Sequence, residues 1–76
     1  MTPQFDRNEF QRVFGQRLKV CRVAKNLSQS QFAEVTGYHM QTISNLERGL
    51  TCPSLCAVFL FAEVLSVSPK TLLFGE

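Results

Sequence analysis

The sequence predicts an all-α fold of five helices, and two observations indicate it. Apolar residues recur at the three- and four-residue spacing of an α-helix, whereas the alternating pattern typical of a β-strand is absent. Residues that favour helix starts and stops punctuate the chain, with aspartate or serine ahead of three segments and glycine behind three. These starts are Asp6, Ser28 and Ser68, and these stops are Gly37, Gly49 and Gly75.

The first predicted helix begins at Asp6, which can act as its N-cap while Glu9 follows three residues later. Apolar side chains then recur at helical spacing, and we expect the helix to end near Lys25 and Asn26. The apolar set is Phe10, Phe14, Leu18 and Cys21.

The second predicted helix is short, at about two turns. The run from Ser28 to Gln31 has the spacing of a capping box, in which the serine caps the helix and the glutamine reaches back to it. Phe32, Ala33 and Val35 follow, and Gly37 stands where a left-handed residue would end the helix.

The remaining three helices lie in the C-terminal half. Ile43 and Leu46 form a thin apolar stripe in a polar third helix that Gly49 ends. The run 54–65 is almost wholly apolar and predicts a fourth helix. Ser68 and Pro69 then supply a cap and a first helical residue for a last short helix ending at Gly75.

The 76 residues predict one domain over 1–76, with residues 1–8 as an N-terminal extension. Charge alone is not decisive, because a net charge of +2 is common. The distribution of charge is more informative, since basic residues cluster in the first third of the chain while the segment 52–67 has one acidic residue and no basic one. The clustered basic residues are Arg12, Arg17, Lys19, Arg22 and Lys25.

The titratable residues argue against catalysis, because one histidine and six acidic residues cannot assemble an acid–base or nucleophilic set. We therefore expect no enzyme, no cofactor and no metal. Three cysteines, an odd number, predict reduced thiols rather than a disulfide framework. Residues 1–8 lack the pattern of a secretion signal, and no apolar run reaches the roughly 18 residues of a membrane span. We expect a cytoplasmic, nucleoid-associated protein.

The informative segment is 29–48, which has the features of a helix-turn-helix. Two short helices that cross steeply need a small residue at the crossing and a turn residue free to adopt positive φ, and Ala33 and Gly37 supply both. Phe32, Ile43 and Leu46 fall where this pair must pack on a core. The opposite face of the third helix is uncharged and rich in hydrogen-bonding groups, and it consists of Met40, Gln41, Ser44 and Asn45.

These residues carry a resemblance to a known family. The spacing of Leu27-Ser28-Gln29, Phe32-Ala33, Gly37, Thr42-Ile43-Ser44, Leu46-Glu47-Arg48-Gly49, Pro53-Ser54-Leu55 and Val67-Ser68-Pro69 resembles the lambda/434 repressor, Cro and Xre-type helix-turn-helix transcriptional regulators. The resemblance covers roughly residues 14–74 and implies a five-helix lambda-repressor-like domain with its helix-turn-helix at helices 2 and 3. It implies a sequence-specific transcriptional regulator that binds double-stranded DNA and acts as a repressor.

The resemblance also implies which residues touch DNA. Base edges in the major groove would be met by Met40, Gln41, Ser44 and Asn45. Phosphates would be met by Lys19, Gln29, His39, Thr42, Arg48 and Thr51. Arg22 and Glu47 match a structural ion pair that joins helix 1 to the end of helix 3. Glutamine and asparagine amides can pair bidentately with adenine, so an A- and T-rich half-site is expected.

Two departures from the family pattern affect this interface. His39 stands where relatives have a serine or threonine cap, so the cap of helix 3 should be weak, and Met40 offers an apolar base contact. The loop from Gly49 to Pro53 lacks the lysines and arginines that many relatives carry there. Affinity for a single half-site should therefore be modest.

The resemblance places Leu55, Val58, Phe61, Ala62 and Leu65 inward, which leaves an apolar outer stripe on helix 4. That stripe predicts a homodimer on a pseudo-palindromic operator, and its residues are Cys56, Leu60 and Val64. Two alternatives stay open. Gln41 and Asn45 could be ordinary solvated residues, or the chain could be an antitoxin or anti-repressor of the same fold whose main partner is another protein.

Overall fold

The computed structural model describes residues 2–76, and every regular element within them is an α-helix. The five helices are α1 (Arg7–Ala24), α2 (Gln29–Thr36), α3 (Met40–Glu47), α4 (Leu55–Leu65) and α5 (Pro69–Phe74). The all-α prediction with five helices is confirmed. The proposed N-terminal extension 1–8 overlaps the first turn of α1, because Asp6 is already the helix cap.

The helix starts follow from capping side chains. The Asp6 carboxylate accepts a hydrogen bond from the Glu9 backbone N–H at 3.1 Å, and Ser28 and Gln31 form the complete capping box. Ser54 and Ser68 cap α4 and α5 in the same manner. Each cap satisfies a backbone donor that has no partner within its helix, so these boundaries are fixed locally.

The entry into α1 is also set by an aromatic contact. Phe5 immediately precedes the cap residue, and its ring centroid lies 6.0 Å from that of Phe10 on the next turn. An apolar pair at these two positions is a hydrophobic staple, which fixes the direction in which the chain enters the helix. Phe10 stacks in turn on Phe14 of the core.

One hydrophobic core receives side chains from all five helices. At its centre the Phe61 ring of α4 lies 5.2 Å from Phe32 of α2 and 5.3 Å from Tyr38 in the following turn. Burying each large apolar side chain contributes about 1.5–3 kcal/mol, so this cluster dominates the stability of so short a chain. The fully buried set is Phe14, Leu18, Phe32, Ile43, Val58, Phe61, Leu65 and Leu72.

The outer face of α4 differs in part from expectation. Leu55 was predicted to point inward, but 67% of it is exposed, while Ala57 is buried. Leu55 is the first residue of the helix and lies beyond the edge of the core. Cys56 is exposed, whereas Leu60 and Val64 are half-buried and Val64 packs against the core. The most exposed apolar side chains of this face are therefore Leu55 and Phe59.

Candidate nucleic-acid interface

Helix α3 has one buried face and one exposed face. Ile43 and Leu46 are buried in the core, as their spacing predicted. Gln41 is exposed and Met40 is 54% exposed, while Ser44 and Asn45 beside them are half-buried. Since these four residues share one side of the helix, only that side is available to another molecule.

The exposed face carries no charge but is rich in hydrogen-bonding groups. Between Met40 and Glu47 the single ionisable side chain is Glu47, which is buried on the other side of the helix. On the exposed face the Nε2 group of Gln41 donates a hydrogen bond to Oδ1 of Asn45 at 2.9 Å. This surface can therefore both donate and accept hydrogen bonds, as the base edges of the major groove require.

The C-terminal end of α3 is anchored by a buried ion pair with α1. The Arg22 Nε and Nη2 atoms donate to the two oxygens of Glu47 at 2.6 and 3.0 Å, and the side chains are 9% and 2% exposed. The remaining Arg22 nitrogen, Nη1, donates to the Leu27 carbonyl at 2.7 Å. The bidentate geometry and the additional bond offset the cost of removing both charges from water.

Two glutamines extend this anchor. Gln29, the first residue of α2, donates from Nε2 to Oε1 of Glu47 at 3.0 Å, so α1, α2 and α3 meet at one carboxylate. Gln11 donates to the carbonyl oxygen of Gly49 at 3.2 Å, just beyond the end of α3. Through this bond with Glu47, Gln29 braces the C-terminal end of α3.

A glycine lets α1 approach α3 closely. A Cβ atom at Gly15 would meet the carbonyl oxygens of Leu46 and Glu47, the latter at 2.7 Å. Both obstacles are backbone atoms, which cannot rotate aside. The absence of a side chain at position 15 is therefore a condition for the Arg22–Glu47 pair to form.

The N-terminal end of α3 is held by fewer contacts. The exposed His39 occupies the cap position, but its side chain makes no capping hydrogen bond. The turn before it depends on Gly37, whose φ of 80° is left-handed, and on Tyr38, which packs on Phe61. The first backbone N–H groups of α3 are thus left without a capping side chain, as the sequence suggested.

Three basic residues of α1 form contacts within the protein. Arg12 pairs with Glu9, Arg22 pairs with Glu47, and Arg17 donates to the Leu73 carbonyl at 2.9 Å. Lys19, Lys25 and Arg48 remain exposed. Arg48 immediately follows α3, and Thr51 is exposed in the next loop.

A shallow cavity of about 310 Å³ lies between α3 and that loop. Thr42 and Asn45 line it on the helix side, and Thr51 and Pro53 line it on the loop side. The structure thus brings two of the expected phosphate-contacting residues, Thr42 and Thr51, to the same cavity as the expected base-contacting residue Asn45.

Three structural residues were missed by sequence reasoning, namely Gln11, Gly15 and Arg17. Of these, Gly15 had a readable signal, because an isolated glycine inside a helical pattern usually has a packing reason. Gln11 and Arg17 bond to backbone carbonyls that are 38 and 56 residues away, so no local pattern could reveal their partners.

Other kinds of site find little support in residues 2–76. Nowhere in that range do three or more His, Cys, Asp or Glu side chains gather as a metal site would need. All three thiols are free, with Cys21 half-buried and Cys52 and Cys56 exposed. Over the same range, no helix has the length and hydropathy that would let it span a membrane.

The fold and the α3 surface define a helix-turn-helix protein, and comparison with known proteins identifies the family. The chain belongs to the HTH_3 helix-turn-helix family, whose model matches residues 18–72. Members of this family are transcriptional regulators that bind DNA and are not enzymes. The resemblance to Cro and Xre-type regulators is confirmed.

Two relatives share about a third of their residues with this chain. The control protein C.BamHI of Bacillus amyloliquefaciens is 36% identical over 67 residues, which span 87% of this chain and 83% of that protein. The SPbeta prophage-derived uncharacterized HTH-type transcriptional regulator YonR of Bacillus subtilis is 36% identical over 63 residues. That match spans 83% of this chain but only 58% of YonR.

A solved structure shows the same architecture. The restriction-modification controller protein C.AhdI of Aeromonas hydrophila superposes with a TM-score of 0.78 at 35% sequence identity. The match covers 82% of this chain and 94% of C.AhdI. Fold and sequence therefore agree on the same class of regulator.

Proposed function

We propose that this protein is a homodimeric, sequence-specific regulator of transcription that reads duplex DNA with α3. The observation that carries the proposal is the division of α3 into a buried, anchored face and an exposed, uncharged face of hydrogen-bonding groups. Neutral amides discriminate between bases, whereas positive charges mainly bind phosphates. Helix α3 has amide side chains on its exposed face, and the basic residue Arg48 follows its last residue, so it suits both tasks.

Met40, Gln41, Ser44 and Asn45 are the proposed base-contacting residues. Phosphate contacts are assigned to Lys19, Gln29, His39, Thr42, Arg48 and Thr51. For Gln29 this requires its second Nε2 proton, because the first is directed at Glu47. Arg48 and Lys19 supply the charge, and their small number predicts modest affinity for one half-site.

Dimerisation is proposed through the outer face of α4. Leu55 is 67% exposed and Phe59 is 56% exposed, next to the exposed Cys56 and half-buried Leu60 and Val64. Adjacent apolar side chains left in water on a small protein usually mark an interface. Two-fold pairing would set two α3 helices in successive major grooves, about 34 Å apart, and so require a pseudo-palindromic operator.

The relatives favour one biological role. C.BamHI is a control protein and C.AhdI is a restriction-modification controller, and each matches more than four fifths of its own length. We therefore propose a regulator of the controller kind, acting as a repressor in the cytoplasm.

The test combines binding and mass. A gel shift with duplex DNA from upstream of the protein's own gene should show cooperative binding, and sedimentation should give the mass of a dimer. Phe59→Glu should lower that mass to a monomer and abolish cooperativity, because it buries a charge in the proposed interface. Val23→Glu is the matched control, since Val23 is 55% exposed on α1.

If Phe59→Glu keeps the mass and the cooperativity of the parent, the dimer interface lies on another surface. Failure of the parent to bind any duplex, together with capture of the product of a neighbouring gene, would favour the antitoxin or anti-repressor alternative.

A further inference from the structure

The exposed face of α4 differs in character between its two ends. Leu55, Phe59 and Glu63 follow one another at four-residue intervals, so they form one row along the helix, and all three are exposed. The row begins with an aliphatic side chain, has an aromatic ring at its middle and ends with the one acidic residue of the segment 52–67. It is therefore apolar at the N-terminal end of α4 and charged at the C-terminal end.

A shallow groove lies beside the C-terminal end of this row. Its volume is about 390 Å³, and Phe59, Glu63, Val67 and Pro69 are among the residues that line it. At the other end of the row, Leu55 is the most exposed large apolar side chain of α4. The same face thus carries a protruding apolar side chain at one end and a largely apolar groove at the other.

We infer that a second copy of this chain packs on this face in the antiparallel direction, with Phe59 at the two-fold axis and Leu55 of each copy in the groove of the other. The inference rests on the proposed function, because it concerns how the proposed dimer is built. It goes further by naming the relative direction of the two α4 helices and the residues that meet.

The symmetry of a dimer accounts for the match between the two ends. A two-fold axis perpendicular to both helices reverses the direction of α4 and brings residue 59 opposite itself. Residues 55 and 63 lie about 6 Å on either side of that axis, at 1.5 Å per residue, so Leu55 comes level with Glu63 of the other copy. The contact then occurs twice, as the self-complementary interface of a two-fold dimer requires.

The charge on the row favours the same direction. Glu63 lies in the last turn of α4, where the helix dipole is negative and disfavours a carboxylate. At the first turn, Ser54 caps the N–H of Ala57, whereas the N–H groups of Leu55 and Cys56 have no acceptor within the helix. Antiparallel packing sets Glu63 beside this positive end of the other helix. Parallel packing would instead set the two Glu63 carboxylates against each other.

A charge at position 56 distinguishes the two directions. Cys56 is exposed one residue after Leu55, so it lies near Glu63 of the other copy in the antiparallel dimer and near its own counterpart in a parallel one. Cys56→Lys should therefore dimerise about tenfold more tightly than Cys56→Glu, because two attractive pairs replace two repulsive ones. Sedimentation equilibrium measures both dissociation constants, and their ratio should shrink as salt is raised.

Charge reversal supplies a second arm of this experiment. Adding Glu63→Lys to Cys56→Glu restores opposite charges across the interface and should return the dissociation constant to that of Cys56→Lys. Val23→Lys and Val23→Glu, at an exposed position of α1, are the matched controls and should dimerise equally.

The outcomes separate this inference from the proposed dimer. Equal dissociation constants for Cys56→Lys and Cys56→Glu, or no recovery on charge reversal, would overturn the antiparallel arrangement and leave a dimer of another geometry. A parent that sediments as a monomer at every concentration would overturn the dimer as well.

The thiol of Cys56 gives an independent measurement. In the antiparallel dimer the two Cys56 residues lie three residues to opposite sides of the axis, about 9 Å apart along the helices. A disulfide needs Cα atoms within about 7 Å of each other. In Cys52→Ser, which leaves Cys56 as the one exposed thiol in residues 2–76, diamide should therefore not link the dimer. Rapid linkage through Cys56 would place the two residues opposite each other and overturn the inference.

Discussion

The two ends of α3 are held in opposite ways. At the C-terminal end, Glu47 binds Arg22 and Gln29, and Gln11 bonds to the backbone just beyond the helix. At the N-terminal end, the exposed His39 makes no capping bond, and Met40 is 54% exposed. The C-terminal end of the helix is therefore held by side-chain hydrogen bonds, whereas its N-terminal end lacks a capping one.

This difference suits a helix that enters a groove. In helix-turn-helix proteins the N-terminal residues of the recognition helix contact the bases. Rigid attachment at that end would fix the side chains before the DNA arrives, whereas attachment at the far end fixes the approach angle alone.

Removal of the anchor should have the largest effect. Arg22→Ala would leave the Glu47 carboxylate buried without its cation, and the free energy of unfolding should fall by about 3–5 kcal/mol. Glu47→Ala should cost a similar amount. Replacing both residues with alanine, Arg22→Ala together with Glu47→Ala, should cost less than the sum of the two single changes. Urea denaturation of the four proteins measures this, and simple additivity would show that the side chains do not interact.

Adding a cap at the other end should have a smaller effect of opposite sign. His39→Ser supplies a hydroxyl that can accept from the N–H of Gln41 or Thr42, and should stabilise the protein by about 1 kcal/mol. The gain should appear as slower hydrogen exchange at those two amides. Ser28→Ala, which removes the cap of α2, is the matched control and should destabilise by a similar amount. Unchanged hydrogen exchange in His39→Ser would mean that the first backbone N–H groups of α3 already have hydrogen-bond partners.

The exposed pair of Glu9 and Arg12 should have the smallest effect. Hydrogen bonding by Arg12, together with its charge, lowers the pKa of Glu9 below the ordinary value. A lowered pKa in the folded state gives stability that is present above the unfolded pKa and is lost as pH falls through the folded one. Water screens this exposed pair, so Glu9→Gln should leave the melting temperature at pH 7 almost unchanged.

NMR titration of the Glu9 carboxyl group checks the cause of that shift. In Arg12→Ala the pKa of Glu9 should rise toward its ordinary value, because both the hydrogen bond and the charge are removed. Arg7→Ala, at the first residue of the same helix, should change it less. If the pKa of Glu9 is the same in Arg12→Ala as in the parent, the two side chains are not paired in solution.

The helix boundaries could be predicted because capping is local. Asp6, Ser28 and Ser68 each satisfy a donor two or three residues ahead, so the signal and its partner lie in one short window. Gly37 was predictable for the same reason, since positive φ at a helix end is a property of one residue. The Arg22–Glu47 pair came from family resemblance rather than from local pattern.

Packing on α4 could not be predicted as well. The helix is apolar on almost every side, so periodicity does not distinguish a core position from an exposed one. Leu55 was assigned inward and is exposed, while Ala57 is buried. The bond between Gln41 and Asn45 was also missed, since an i, i+4 spacing permits such a bond but does not require it.

The most direct test of the central claim is to measure dissociation constants on a duplex that the parent selects from a randomised pool and on a scrambled one. Gln41→Ala should lose about 1–3 kcal/mol on the selected site, roughly 5- to 150-fold, and keep its affinity for the scrambled duplex. Arg48→Ala should weaken both alike, because the contact proposed for Arg48 is with phosphate. If Gln41→Ala and Asn45→Ala bind the selected site as tightly as the parent, with the same base preferences, α3 is not the reading helix.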